Sequence, residues 1–173
     1  MSEQSAETKK KSPAAAALNV IGTVIIVLAI ILCLLPVLPR LLGFSGYTIL
    51  SGSMEPTIPV GSVVYSKAVD NPETLEVGDI VVFYEGLGDI PVVHRLVENR
   101  LSERELITQG DANNTEDLQP IPYQNVIGRV ILHIPVLGRL LMLLGTLTGK
   151  LAVAAFILAG ALLCELGRRI RAF

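Results

Sequence analysis

Cysteine and histidine are scarce in this chain of 173 residues, and each shortage removes a class of chemistry. The two cysteines, Cys33 and Cys164, both lie in long apolar runs, where a disulfide framework is not expected. The central part of the chain therefore has no cysteine for catalysis or for metal binding. Only two histidines, His94 and His133, are available to act as bases near neutral pH.

Positive charge is also scarce between the two apolar runs. Residues 40–139 carry 7 Lys and Arg against 13 Asp and Glu, whereas basic residues cluster near both ends of the chain. An acidic middle argues against nucleic acid as a partner. Internal repeats, low-complexity segments and useful helical periodicity are all absent between the apolar runs.

The two apolar runs indicate a membrane protein. Residues 14–38 carry no charge and are long enough to cross about 30 Å of hydrocarbon as a helix. The second run, residues 140–166, contains Lys150, whose side chain we expect to reach the interface. The first run could instead be a cleaved signal peptide. Its long core and the lack of an Ala-x-Ala-like site favour retention.

Charge at the ends of the runs predicts orientation, because basic flanks resist translocation. We expect both termini in the cytoplasm and the middle of the chain outside the cell membrane, which is crossed twice. The sequence thus predicts a cytoplasmic basic tail over residues 1–13, a transmembrane helix over 14–39, an extracytoplasmic β domain over 40–139, an interfacial or transmembrane helix over 140–166, and a second cytoplasmic tail over 167–173.

The middle of the chain is predicted to be a small, curved, all-β domain, so the fold class is mainly β. Short runs rich in β-branched and aromatic residues alternate with Gly, Pro, Asn and Asp, which is typical of strands joined by tight turns. The predicted strands are Tyr47–Leu50, Ser62–Tyr65, Ile80–Tyr84, Val92–Val97, Glu105–Thr108 and Val126–His133.

A serine in a turn is the first candidate for chemistry. Ser53 follows Gly52, which permits close backbone approach, and precedes Pro56, which restricts the residue before it to extended conformations. Such a serine can present its hydroxyl as a nucleophile and its N–H as one oxyanion donor, and Ser51 could supply a second donor. For the tripeptide alone, a plain polar turn is the favoured interpretation.

A base and a carboxylate are needed to activate a serine hydroxyl. His94 lies in an apolar strand, where an isolated histidine is more often a purely structural residue. His133 precedes the second apolar run and is favoured as an interface residue, and Lys67 sits in a polar loop that would not lower its pKa. Asp111 and Asp117 both flank an Asn-rich loop, and the residues alone leave open which of them would orient the histidine.

Taken together and in order, these segments resemble type I signal peptidases of the branch found in the endoplasmic reticulum, in archaea and in some Gram-positive bacteria. The matching segments are Ser51-Gly52-Ser53-Met54-Glu55-Pro56, Gly78-Asp79-Ile80-Val81, His94-Arg95, Gly110-Asp111-Ala112-Asn113-Asn114 with Asp117, Gly128-Arg129-Val130 and Ile134-Pro135-Val136-Leu137-Gly138. The commoner bacterial branch has lysine where this chain has His94. Ala112 stands where members of this branch often carry Asn.

The resemblance implies a membrane-bound serine endopeptidase that removes signal peptides after small residues. It implies Ser53 as nucleophile, His94 as general base, an acidic partner from Asp111 or Asp117 with a preference for Asp117, and an oxyanion hole from Ser51 and Ser53. No metal or other cofactor is implied. The implied partners are signal-peptide-bearing preproteins, the lipid bilayer and, as for relatives that work inside complexes, the translocation machinery.

Three other interpretations fit parts of the sequence. The first is a non-catalytic, membrane-anchored β domain that acts as an assembly or binding module. The second is a self-cleaving regulator related to SOS-response repressors, which use Ser/Lys chemistry and a DNA-binding domain that this chain lacks. The third is an integral hydrolase of other substrates.

Overall fold

The computed structural model describes residues 12–86, 88 and 90–172. Most of the predicted N-terminal basic tail therefore lies outside the described residues. Contacts divide the chain into two compact units, with boundaries between Leu35 and Pro36 and between Leu143 and Leu144. One unit holds the two long apolar helices, and the other holds the sheet.

The helical unit contains α1 (Pro13–Leu34) and α4 (Leu147–Ala172). The Ser12 side chain caps α1, and Pro13 at its first position suits a helix start because its missing N–H would have no helical partner there. Both helices are long and apolar enough to cross a membrane, with mean hydropathies of 2.9 and 2.0. The helices α1 and α4 thus agree with the membrane association that the sequence predicted.

Small residues let α1 and α4 approach closely. A Cβ added at Gly22 would lie 2.5 Å from the Gly160 carbonyl oxygen, and one added at Gly160 would lie 2.8 Å from the Gly22 oxygen. Apolar helices gain little from burial against each other in lipid, so such close packing is a main source of their association. Ala15 and Ala29 are also buried along α1.

The second unit is built on one antiparallel sheet of seven strands, in the order β1-β2-β7-β3-β4-β5-β6. This confirms the predicted mainly β fold class. The strands are β1 (Phe44–Thr48), β2 (Val63–Ala68), β3 (Ile80–Tyr84), β4 (Pro91–Arg100), β5 (Glu105–Gln109), β6 (Ile121–Pro122) and β7 (Val126–Ile134).

Register shifts bend the sheet at three places: between Tyr65 and Ser66, between Val82 and Phe83, and between Leu96 and Glu98. An extra residue in one strand raises the local twist and bends it, which gives the curvature that the sequence predicted. Two short helices complete the unit: α2 (Leu38–Leu41) and α3 (Leu137–Gly145), whose last two residues lie past the boundary. The helix α3 begins within residues 40–139, where no helical segment was predicted.

Each face of the sheet covers its own hydrophobic cluster. Alternation along β3 shows the division, because Val81 and Phe83 enter one cluster while Val82 enters the other. The cluster around Val82 also contains Met54 and Ile58, which flank the candidate serine turn. The core of the sheet therefore anchors the segment that carries Ser53.

Candidate active site

Ser53 lies in a closed loop between β1 and β2, which we call the serine loop and which runs from Ile49 to Ser62. Two backbone hydrogen bonds close its base: Ile49 N–H donates to Ser62 O at 2.9 Å, and Gly61 N–H donates to Ile49 O at 2.9 Å. Met54 and Ile58 are buried beneath the loop, with 1% and 0% of their surface exposed. The nucleophile candidate is thus half-buried on a loop held at both its base and its underside.

Two hydroxyls meet near the start of the serine loop. The Oγ atoms of Ser51 and Ser53 lie 3.4 Å apart, at the outer limit of a hydrogen bond. Ser51 is exposed, and Gly52 between them leaves the backbone unobstructed. An acyl oxygen placed against Ser53 could therefore meet both the Ser51 hydroxyl and the Ser53 N–H.

His94 belongs to β4, and the sheet register gives it a carboxylate partner. Its Nδ1 lies 2.6 Å from Asp117 Oδ2, and the same oxygen accepts a hydrogen bond of 2.7 Å from Thr108 Oγ1. Asp117 N–H in turn donates to Thr108 O at 2.8 Å, which ties the loop after β5 back to the strand. The carboxylate cannot donate, so Nδ1 carries the proton and the neutral ring keeps Nε2 as its basic nitrogen.

His94 is packed on both sides. The residue is 9% exposed, and the Phe83 ring meets the imidazole edge to face with centroids 6.2 Å apart. Thr108 beside it is fully buried. Packing on one side and the Asp117 hydrogen bond on another fix the orientation of the ring.

Asp111 binds a different partner. Its two carboxylate oxygens accept hydrogen bonds of 2.8 and 2.7 Å from Nε and Nη2 of Arg95, whose Nη1 donates to Gly78 O at 2.8 Å. The Arg95 hydrogen bond lowers the pKa of Asp111 below its usual 3.8, against the effect of burial, and Thr57 of the serine loop adds a smaller hydrogen bond. The same pairing raises the pKa of Arg95. The two aspartates that the sequence left open thus contact two adjacent residues of β4.

The loop after β5 joins the two halves of the site. Ala112 N–H donates to Ser53 O at 2.8 Å, and a Cβ added at Gly110 would lie only 2.6 Å from that oxygen. Glycine is therefore required at position 110 for this close approach. In the described part of the chain, the Ser53 hydroxyl bonds Ser51 and the His94 ring bonds Asp117, without a direct hydrogen bond between the two.

A cavity of about 450 Å³ opens beside Ser53. One side of the cavity is formed by the end of β1 and the start of the serine loop, and the other side is formed by the start of β4 and the residue before it. Its walls are largely apolar, and both candidate serines are among the lining residues. The lining residues are Gly46, Tyr47, Thr48, Ile49, Leu50, Ser51, Ser53, Met54, Ile90, Pro91, Val92 and Val93.

The other sequence candidates lie elsewhere. Lys67 is exposed on β2 opposite Phe44, and His133 is half-buried on β7 opposite Val64. Within the described residues, no group of three or more His, Cys, Asp or Glu side chains could hold a metal ion. Sequence reasoning missed Thr108, because a threonine inside a predicted strand gives no separate signal.

The fold and the site together define a candidate serine hydrolase: a serine turn, an oriented imidazole and a cleft on a β domain attached to apolar helices. The family described as signal peptidase, peptidase S26, matches residues 20–98, which include Ser53 and His94 and end before both aspartates. The resemblance to type I signal peptidases that the sequence indicated is thereby confirmed over residues 20–98.

Similar curated proteins carry the same name. The chain is 34% identical over 116 residues to the signal peptidase complex catalytic subunit SEC11 of Ogataea parapolymorpha, covering 56% of this chain and 65% of that protein. It is 30% identical over 117 residues to signal peptidase I W of Bacillus subtilis, covering 62% of this chain and 61% of the relative. The chain therefore spans less than two thirds of the length of these relatives.

Proposed function

We propose that this chain is a membrane-bound serine endopeptidase that removes signal peptides from exported preproteins, cutting after small residues through an acyl-enzyme. The observation that carries the proposal is the 2.6 Å contact between His94 Nδ1 and Asp117 Oδ2. It leaves a basic ring nitrogen on the strand that adjoins the serine loop. The names of the relatives support the same activity.

In this mechanism each residue has a distinct role. Ser53 Oγ attacks the scissile carbonyl, His94 takes its proton, and Asp117 stabilises the imidazolium that forms. The Ser53 N–H and the Ser51 hydroxyl hold the oxyanion. His94 then returns the proton to the leaving amine, and water hydrolyses the ester by the same route. Bound substrate aligns the serine and the ring, since catalytic hydrogen bonds often tighten only in the complex.

Asp111 has a supporting role in the proposal. Its bidentate ion pair with Arg95 fixes the loop after β5, and that loop holds the Ser53 carbonyl through Ala112. Thr57 reaches the same carboxylate from the serine loop. The pair therefore sets the distance between the serine loop and β4 without touching the reacting atoms.

The cleft gives the proposed substrate an extended binding mode. In the sheet order, β1 is an edge strand with a partner on one side only. An extended peptide can add to such an edge through main-chain hydrogen bonds, while its side chains enter adjoining pockets. The cavity beside Ser53 has room for small side chains against the apolar walls formed by Ile49 and Val93.

We further propose the membrane arrangement that the charges predict. The helices α1 and α4 would form the two spans, with both termini in the cytoplasm and residues 40–139 outside, where exported preproteins emerge. Tethering enzyme and substrate in one bilayer raises their effective concentration. The proposed partners are preproteins, lipids and the translocation machinery.

The test uses the full chain in proteoliposomes with a preprotein, and the new N-terminus is sequenced. We expect Ser53→Ala to lower the cleavage rate by about 10³-fold or more, because the variant has no nucleophile to form the acyl-enzyme. Ser102→Ala, in an exposed turn where Ser102 bonds Glu103, is the matched control and should cleave at the wild-type rate. Undiminished cleavage by Ser53→Ala would contradict the proposed serine mechanism. A function of the chain that survives the substitution would favour a non-catalytic assembly or binding module.

A further inference from the structure

The helix α3 packs against the base of the serine loop through a glycine. A Cβ added at Gly138 would lie 2.7 Å from Gly61 O, 2.7 Å from Thr48 Cγ2 and 2.9 Å from Ser62 O. Two of these three neighbours are backbone atoms, which cannot rotate away as the end of a flexible side chain would. Any side chain at position 138 therefore displaces either the helix or the loop base.

A second contact fixes α3 to the same place. Arg139 N–H donates to Gly61 O at 3.2 Å, and the Arg139 side chain lies over the Gly61 Cα. Leu137 on the other side of Gly138 is buried in the cluster around Val63 and Tyr65. The start of α3 is thus held by the core and cannot easily yield, so a side chain at Gly138 would push on the loop base.

The loop base transmits such a displacement toward Ser53. Gly61 and Ser62 are each hydrogen-bonded to Ile49, which begins the segment leading to Ser51 and Ser53. Thr48, whose methyl group meets Gly138, lines the cavity next to Ile49. Both routes from Gly138 reach the wall of the cleft within one residue.

We infer that Gly138 is a positioning residue that allows α3 to support the serine loop and so to place the Ser53 hydroxyl. The inference deepens the proposed function, on whose nucleophile it rests. Gly138 acts through Gly61, Ser62 and Thr48, and it touches no reacting atom. The segment that leads from the sheet to the second apolar helix is therefore also part of the support for the nucleophile.

The main experiment compares Gly138→Ala with Gly145→Ala in the full chain. Gly145 is the matched control, because it ends the same helix and a Cβ there would meet nothing within 4 Å. We expect Gly138→Ala to lower kcat by about tenfold or more, since small misplacements of a reacting group cost large factors in rate. The pH at which kcat is half-maximal should stay unchanged, because His94 and Asp117 are not displaced.

A reverting variant separates positioning from general instability. Thr48→Ser removes the methyl group that a side chain at 138 would strike while it keeps the hydroxyl. When Thr48→Ser is combined with Gly138→Ala, part of the lost kcat should return. If Gly138→Ala only weakened the fold, the second substitution would not restore kcat. Absence of any recovery, together with a fall in melting temperature that matches the fall in kcat, would overturn the inference.

Hydrogen exchange provides a readout that does not depend on catalysis. The Ile49 and Gly61 amides close the loop base, so peptides covering residues 49–62 should exchange faster in Gly138→Ala, and those of β4 and β5 should not. If Gly138→Ala does not fold, Arg139→Ala removes the side chain over Gly61 and should give the same localised increase. Unchanged exchange at residues 49–62 refutes the inference even if the wild-type chain proves to cleave no preprotein.

Discussion

His94 lies on a ten-residue strand with hydrogen-bonded neighbours on both sides, whereas Ser53 lies on a loop that two hydrogen bonds close at its base. On the strand side, the register of β4 and β5 and the Thr108–Asp117 pairing bring together the proposed base and its carboxylate partner. On the loop side, buried side chains below the loop and α3 beside it determine where the hydroxyl lies. Changes on the strand side should therefore alter the chemistry, and changes on the loop side should alter the geometry.

The largest loss of activity is expected from a substitution on the strand side, at Asp117. Asp117→Asn replaces the acceptor of the His94 Nδ1 proton with an amide that can donate, so the ring is held in the wrong tautomer. We expect preprotein cleavage at neutral pH to fall by about 10²–10⁴-fold, with little change in KM. The measurement is steady-state cleavage as a function of pH. An equal loss from Asp117→Asn and Asp111→Asn would remove the distinction between the two aspartates.

Asp111→Asn is expected to act mainly on stability. At pH 7 it should lower the free energy of unfolding by about 1–3 kcal/mol, because it breaks a charge-assisted, bidentate pair with Arg95. Since the pKa of Asp111 is lowered in the folded state, its contribution is complete above the unfolded value near 3.8 and is lost as pH falls through the folded value.

Thermal unfolding in detergent at a series of pH values tests this expectation. The wild-type melting temperature should fall more steeply below pH 4 than that of Asp111→Asn, and the two curves should converge in acid. Glu73→Gln is the control, because its partner Arg104 is exposed and such surface pairs contribute less than about 1 kcal/mol. Parallel curves for wild type and Asp111→Asn would show that this carboxylate is not the linked group.

The smallest changes in stability are expected at two buried serines, one in the serine loop and one in a strand. Ser62 closes the loop base, and its Oγ donates to Pro59 O at 2.6 Å. Ser66 lies in β2, and its buried Oγ has no hydrogen-bond partner among the described residues. We expect Ser62→Ala to cost about 1 kcal/mol and Ser66→Ala to cost nothing or to stabilise by up to about 1 kcal/mol, as measured by melting temperature. A larger loss from Ser66→Ala would mean that its hydroxyl is bonded in solution.

Much of the fold could be predicted from local patterns, and its departures have local causes. An uninterrupted run of β-branched and aromatic residues gave Ile80–Tyr84 with the observed bounds of β3. The first strand begins at Phe44, three residues before the predicted start, because Phe44 packs against the cluster around Tyr65. The two-residue β6 was missed, since its pairing with β5 is the only feature that makes it a strand.

The candidate site could be predicted only as a set of residues. The order of the segments indicated a serine, a histidine and two aspartates. Asp117 lies only six positions after Asp111, so either could reach β4 by loop length alone. Their partners depend on the register of β4 and β5, which shifts between Leu96 and Glu98. The support from α3 was equally hidden, because Gly138 and Gly61 are distant in sequence and close only in the folded chain.

The contact between Gly22 and Gly160 limits how the helical unit can be engineered. An unrelated apolar segment of equal length and hydropathy, spliced in place of α1, would still enter a bilayer. A leucine or valine at the position of Gly22 would nevertheless collide with the backbone of α4 near Gly160. The N-terminal helix is therefore not a generic anchor, and a chimaera that keeps its hydrophobicity while losing its shape should separate the two helices.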